Sequence, residues 1–596
     1  MIRSTRQLMA KMKASFRRRL SGADALPQLA LLGLLSGLIT GGVILIFRLA
    51  IEWPLKYFLP GDGAGAFPSE AFEGLDVVTR GVLPLVGALG LGLLLHRLAT
   101  HDRKVGVVHV MERLNYHQGY ITAKSAFIQF IVGVATVVTG QSAGREGPAV
   151  HLGAAFSSLM GQWMRLPNNS IRTLVACGCA AAISASFNTP IAGVIFAMEV
   201  VMMEYTIAGF TPIILAAVSA AIVTQIVYGP DPAFNVPALM TNSLLEIPWI
   251  LVIAVIIGVA AALFIYLVES MGRFSHRPIL LRVIIAGVLM VPFAIFVPQT
   301  MGIGYDTVND AINGGLGFWL LLSVGVAKLL ITALTVGLGM PSSIIGPTLF
   351  MGATLGGAMG LIGAEIMPGH TSSVGFYAML GMGAMMGAVL QAPLAALMAL
   401  MELTRNPNII LPGMLIITTS SLVTSEAFGR KSLFLTILKS QGLSYQNSPV
   451  IQALRRVSVA AIMDKSILRI QRRLTPEEAR KILKSEPKWL IIEGSSGPTS
   501  LMPAVDLARF LEDSEKLLKT EDQPLPEQIN LMDIPANRRD LAPVQYQATL
   551  EEALYEFDNS SAEALYVQRY VAPMIQRIYG VVLKSDIESY YQYRRS

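Results

Sequence analysis

Through its first 440 or so residues the chain is a succession of apolar stretches, at about 29–50, 81–98, 126–140, 147–164, 173–186, 191–205, 208–228, 246–269, 279–297, 316–336, 343–363, 374–390, 393–403 and 407–426. Several fall short of the ~20 residues that a spanning helix needs, and many are cut by Gly-Pro or by Pro alone. Lipid tolerates such breaks only where the freed backbone groups are buried in protein or line an aqueous path. The interruptions therefore predict broken, re-entrant helices, and they locate the working site. Composition divides the chain the same way. Only 14% of residues are charged, and about half of those lie beyond Ser448. This predicts a membrane domain over 27–440 and a soluble tail from 450 onward.

Arg3, Arg6, Lys11, Lys13, Arg17, Arg18 and Arg19 precede the first apolar run, with no acidic residue before Asp24. That bias keeps the 1–26 segment cytoplasmic and against anionic lipid. Leu29 to Ala50 is longer than the apolar core of a signal peptide and ends without a small-residue cleavage site. The two cysteines, Cys177 and Cys179, sit in an apolar run and read as small packing residues. The net charge of +6 is matched by the N-terminal segment, so no nucleic-acid surface is expected.

The membrane part repeats. Gly147-Pro148, Gly153-Ala154 and Met160-Gly161 recur 199 residues later as Gly346-Pro347, Gly352-Ala353 and Met359-Gly360. NTPIAGVIFAME, Asn188–Glu199, shares Pro, Ala, Met and Glu with QAPLAALMALME, Gln391–Glu402, at an offset of 203. Two halves, about 27–230 and 246–440, carry the same interruptions, which is the trace of a duplicated transporter fold. The relative direction of the halves is not readable at this level.

Within Gly140–Gly153, GQSAGREGPAVHLG, Arg145 and Glu146 stand alone between uncharged runs. A carboxylate inside the bilayer is costly and is a functional candidate by default. Gly147-Pro148 opens a helix there, leaving free N–H groups and a positive dipole end beside Glu146. Such an end binds an anion. An ionised Glu146 can take the anion's place and a protonated one can release it, joining gate and proton carrier in one residue. The plainer alternative is an ion pair of Glu146 with Arg145 that caps a helix. His151, five residues beyond Glu146, reads as a satisfied polar contact. No nucleophile elbow, Walker loop or zinc spacing is present, so no enzymatic chemistry and no metal are expected.

GREGP, with the matched NTPIAG and QAPLAA segments, resembles the CLC chloride channel/antiporter family over essentially the whole chain. The resemblance implies an all-α polytopic membrane protein with duplicated, inverted half-units and a cytoplasmic α/β tail. It also implies a homodimer in a bacterial inner membrane with one anion path per subunit. It makes Glu146 the gating glutamate, with Gly144, Arg145 and Gly147 around it. GLGMPSSIIGP, Gly337–Pro347, matches the second anion-binding element, so Ile344, Ile345 and Gly346 contribute backbone donors. The first filter element falls at Lys104–Val108 and offers Gly106, but has Val105 where the family has a coordinating Ser. The Tyr that closes the central site is Phe434 here. With both hydroxyls missing, an anion would rest on backbone amides. Val200 occupies the usual internal proton-transfer position, and Glu199 before it reads as a helix-end carboxylate mirrored by Glu402 more than as a proton entry. The expectation is transport of chloride or a similar anion, leaning to channel-like or weakly coupled conduction, with anion/proton antiport as the alternative.

In the tail, LTPEEA at Leu474–Ala479 and ATLEEA at Ala548–Ala553 are each followed by a helix and a short strand, Leu490–Ile492 and Leu565–Val567. Each unit ends in an Asp entering a helix, Asp506 and Asp586. This succession resembles tandem CBS domains, at 450–515 and 528–596, joined by a polar linker from Glu512 to Gln528. The resemblance places Asp506 and Asp586 at ribose-binding positions, but SLMPAVD and GVVLKSD lack most of the accompanying motif. A packing role is thus favoured over adenine-nucleotide binding, and no cofactor is required. A membrane-anchored nucleotide sensor is the rival from another class.

Overall fold

The computed structural model describes residues 26–59, 72–205, 207–231, 234, 243–443, 449–494, 497–521, 527–572 and 575–593. Arg3 to Arg19 and the centre of the expected linker, 522–526, lie outside them. The described residues form two compact units, one within 29–164 with 171–445, the other within 446–596 with 165–170 and 26–28.

The first unit is helical. Its helices are α1 (Leu26–Phe58), α2 (Val77–Arg97), α3 (Gly106–Tyr116), α4 (Ala123–Val138), α5 (Glu146–Trp163), α6 (Asn168–Phe187), α7 (Pro190–Phe196) and α8 (Ile207–Tyr228), then α9 (Ile247–Gly272), α10 (Ile279–Phe296), α11 (Tyr305–Ile312), α12 (Phe318–Gly337), α13 (Ile345–Ile366), α14 (Val374–Leu390), α15 (Pro393–Thr404), α16 (Ile410–Leu422) and α17 (Leu433–Ser440). Among the described residues nine helices are long and apolar enough to cross a bilayer. Helices α4, α7, α14 and α15 are apolar but shorter, as the interrupted sequence predicts. Helix α7 continues through a widened π turn, Ala197–Met202, which carries Glu199 and Val200.

The two halves are antiparallel, and two independent contacts establish it. Glu199, just past the C-terminal end of α7, accepts the N–H groups that open α15, from Leu394 at 3.3 Å and Ala395 at 2.7 Å. Glu402, near the C-terminal end of α15, accepts those that open α7, from Ile191 at 3.0 Å and Ala192 at 2.7 Å. Each helix end thus lies at the other's beginning. In addition, Gly144 and Ser343, mates under the 199-residue offset, form an antiparallel bridge with each other, Gly144 N–H donating to the Ser343 carbonyl at 3.0 Å. Only residues on a two-fold pseudo-axis meet their own mates. The same symmetry governs packing. A Cβ at Gly153 would meet the Gly178 carbonyl at 2.3 Å, and one at Gly352 would meet that of Gly381 at 2.2 Å. Glycine at these crossings lets α5 and α6, and α13 and α14, touch backbone to backbone.

The second unit opens with α18 (Pro449–Arg455) and α19 (Val459–Ile462). There follow β1 (Ile467–Gln471), β2 (Arg473–Leu474), α20 (Pro476–Leu483), β3 (Trp489–Gly494), β4 (Gly497–Pro503), α21 (Ala504–Glu521), β5 (Ile529–Asn530), β6 (Arg539–Gln545), α22 (Leu550–Ser560), β7 (Ala564–Ala572), β8 (Ile575–Leu583) and α23 (Lys584–Tyr593). Six strands form one sheet in the order β1-β3-β4-β6-β7-β8, each half combining a parallel pair with a hairpin. The repeated Thr-x-Glu-Glu motif is a capping box in both halves, with Thr475 and Thr549 as the caps of α20 and α22. Helix α21 runs to Glu521, through much of the stretch expected to be linker. LEDSEKLLKTE is rich in Leu, Glu and Lys, which favour helix more strongly than its polarity suggests loop. Val457, Val459 and Met463 pack with Val544, Leu565 and Val582, so residues ahead of the first half complete the core of the second.

Candidate functional site

The breaks before α5 and α13 converge on the pseudo-axis. Their N-caps, Arg145 and Ile344, are mates under the offset and share one backbone conformation, φ −92°, ψ −12° and φ −98°, ψ −12°. Neither has a side chain capping the helix, so the opening N–H groups are left for another acceptor. That acceptor is Glu146. Fully buried, it places Oε2 at 3.2 Å from the Gly346 amide nitrogen, while Oε1 accepts the hydroxyl of Tyr305. The amide that meets the carboxylate is thus Gly346, one beyond Ile345, whose own N–H is turned to Ser343 Oγ at 3.3 Å. Glycine at 144 leaves room for the carboxylate in this position, because a Cβ there would lie 2.2 Å from Glu146 Oε2.

Arg145 does not pair with Glu146. Its guanidinium lies 3.6 Å from Glu52 on α1 and 5.7 Å from the centre of the Tyr305 ring. Glu52 is also bound by Arg48 at 3.0 Å and by the Tyr228 hydroxyl at 2.6 Å. The neighbouring guanidinium is drawn toward α1, and the two hydrogen-bond donors on the Glu146 carboxylate are both uncharged groups.

Val105, Gly106, Gly147, Ile344 and Phe434 line one cavity of about 460 Å³ together with Ser342 and Ser343. Arg103, Lys104 and Arg282 also line it. The sequence-predicted elements from both halves are therefore brought together at one cavity, which reaches Gly147, the residue after Glu146. Val200 and Glu199 take no part. Val200 is 5% exposed, and Glu199 is committed to the start of α15. His151 meets His109 at 2.8 Å and Ser125 at 3.3 Å, a buried polar cluster.

Tyr305 escapes a reading based on familiar motifs. The signal that could have found it is the repeat itself, because the 199-residue offset carries Gly106, first residue of α3, onto Tyr305, first residue of α11. In antiparallel halves, mates of cavity-lining residues fall at the opposite end, beside Glu146. Lys328 holds the approach to α11, donating to the carbonyls of Thr300 at 3.0 Å and Gly302 at 2.8 Å. In the tail, Asp506 Oδ2 accepts the Asn537 N–H and Asp586 Oδ2 that of Leu583, each at 2.9 Å.

Residues 87–425 match the voltage gated chloride channel family. The chain belongs to the CLC family. It is 31% identical over 387 residues to a ClcB-like chloride channel protein of Ralstonia nicotianae, spanning 64% of this chain and 90% of that one. It is 28% identical to the H(+)/Cl(-) exchange transporter ClcA of Vibrio cholerae over 60% of this chain and 79% of the relative. Among solved structures it shares the fold of a slow cyanobacterial Cl-/H+ antiporter, with a TM-score of 0.62, 21% identity and coverage of 69% and 97%. A CLC-type fluoride/proton antiporter gives 0.57 at 23% identity, covering 69% and 98%. A eukaryotic CLC transporter gives 0.56 at 19%, covering 94% and 97%, so that likeness extends into the tail. This CLC protein is a multi-pass membrane protein of an anion-transporting family, with an α/β tail of CBS-like arrangement.

Proposed function

We propose that this CLC protein moves chloride or a similar small anion along a path gated by Glu146, by channel-like or weakly coupled conduction. The observation that carries the reading is the contact of the Glu146 carboxylate with the Gly346 amide, at the meeting of the two helix starts. Backbone N–H groups at a helix start favour a negative charge whether it belongs to a side chain or to a free anion. The ionised carboxylate occupies the place of the anion, and protonation removes the charge that holds it there. Anions approaching through the cavity then replace it. The apolar Val200 and the engaged Glu199 support weak coupling, because neither offers the buried path a free carboxylate.

Proton-coupled exchange is the second reading, favoured by the exchange activity in the names of relatives such as ClcA. The same family resemblance supports a homodimer in a bacterial inner membrane with the N-terminus and tail cytoplasmic. For the tail, the engaged carboxylates of Asp506 and Asp586 favour packing over adenine-nucleotide binding. Chloride flux from liposomes with simultaneous proton recording tests both readings. The gate predicts that Glu146→Gln and Glu146→Ala lose the pH dependence of flux, and unchanged dependence in both would sink it. Robust uphill proton movement in a chloride gradient would decide for exchange.

A further inference from the structure

We propose that Tyr305 is the latch of the gate, a positioning residue whose hydroxyl holds the ionised Glu146 carboxylate in the anion's place. The proposal rests on the reading of Glu146 as the gate. Tyr305 is 2% exposed, and its hydroxyl donates to Oε1 while Gly346 holds Oε2. The carboxylate is thus fixed at both oxygens by two donors of the second half, one from the start of α11 and one from the start of α13.

The bond discriminates between gate states. An O–H donating to a carboxylate stabilises the ionised form, and that advantage is lost when the carboxyl takes up a proton. The charged groups around the pair do not substitute for it. Arg145, from the start of α5, faces Glu52, which Arg48 of α1 and Tyr228 of α8 also engage. Lys328 of α12 is occupied by two backbone carbonyls, and Asp306, next to Tyr305, accepts the N–H of Thr307.

The ring, meanwhile, stays in place whatever the carboxylate does. Phe234 packs edge-on at 5.5 Å between centroids, Phe187 lies at 6.1 Å, and the Arg145 guanidinium covers the ring. A donor fixed in advance favours the seated gate without having to be ordered each time it closes. The inverted mate, Gly106, has no side chain, so the device exists at one end of the path only.

Tyr305→Phe keeps the ring and removes the donor. In chloride-loaded liposomes across a pH series, the variant should move the midpoint of the flux profile upward by about one pH unit, the equivalent of roughly a tenfold change in the balance of gate states. Glu146→Gln should flatten the profile, and adding Tyr305→Phe to it should change nothing further. A Tyr305→Phe profile that superimposes on the parent's, or moves to lower pH, while Glu146→Gln flattens it, overturns the latch and leaves the gate standing. If Glu146→Gln and Glu146→Ala both retain the parent's pH dependence, the gate itself fails and the latch fails with it.

Discussion

Glu199 and Glu402 perform the same task at opposite ends of one helix pair, so their removal should have matching consequences. Each carboxylate accepts two opening N–H groups of a Pro-started helix, one bond of each pair being 2.7 Å long. Hydrogen bonds to a charged group contribute about 1.5–3 kcal/mol each, and partial exposure at both sites argues for the low end. The favourable placement of a negative charge at a helix start adds about 0.3–1 kcal/mol. Replacement by Ala leaves two amide donors without their acceptor and should cost about 3 kcal/mol, while Gln keeps one acceptor oxygen and should cost about half of that. For a helical unit of this size each kcal/mol lowers the apparent melting temperature in detergent by roughly 1–2 °C, so both Ala variants should fall by roughly 3–6 °C. Glu199→Ala and Glu402→Ala should agree within error, and the protein that remains folded should retain its anion flux with an unchanged proton-to-anion ratio. The reasoning is refuted if Glu199→Ala alters that ratio at parental stability while Glu402→Ala does nothing, since Glu199 would then be moving protons.

Two further variants probe the scaffold and the tail. Gly381→Ala places a Cβ 2.1 Å from the Gly352 carbonyl, and Gly178→Ala one 2.1 Å from that of Gly153. Neither crossing can open without separating two helices, so each should cost about 3 kcal/mol or more and sharply reduce the yield of monodisperse protein, whereas Gly90→Ala, which meets nothing within 4 Å, should not. In the tail, burial raises the affinity of the Asp464 carboxyl for its proton, but the bond from Lys488 at 2.8 Å and the Ser466 amide outweigh it and leave the carboxyl below its ordinary range. Stability from this group is therefore full above the ordinary Asp value of about 3.9 and is lost as pH falls through the depressed one. Trp489, which donates to Asp464 at 3.3 Å, is the single tryptophan of fragment 446–596 and reports on it. Acid unfolding followed by its fluorescence should begin at higher pH than in Asp464→Asn relative to each protein's neutral baseline; identical acid limbs would contradict the assignment.

The membrane architecture was legible because lipid makes backbone breaks costly. Gly147-Pro148 and Gly346-Pro347 could persist only where something else satisfies the freed amides, and in the structure a buried carboxylate does so. The direction of the halves was not legible. Offsets of 199 and 203 record duplication, but antiparallelism lives in contacts such as Glu402 with Ala192, between residues 210 positions apart. The partner of Arg145 was hidden for the same reason, since adjacency in sequence suggested Glu146 and the fold supplied Glu52 from α1. In the tail, local composition misjudged the linker because a helix-forming polar stretch and a flexible one differ little in polarity.

The placement of the site on the pseudo-axis explains how, under the proposed function, one carboxylate would gate a duplicated structure. Backbone geometry at Arg145 and Ile344 is the same, so symmetry provides two equivalent helix starts aimed at one point. One carboxylate, that of Glu146, takes a donor where they meet. The mate of Glu146 is Ile345, an apolar residue, and a carboxylate at both positions would set two like charges on one set of donors. Duplication therefore builds the cradle, and departure from duplication supplies the carboxylate that sits in it. Tyr305 against Gly106 is a second departure of the same kind, and its hydroxyl donates to that same carboxylate. Functional residues in such a protein are accordingly to be sought where the halves fail to match within a matched backbone, which singles out positions that no motif names.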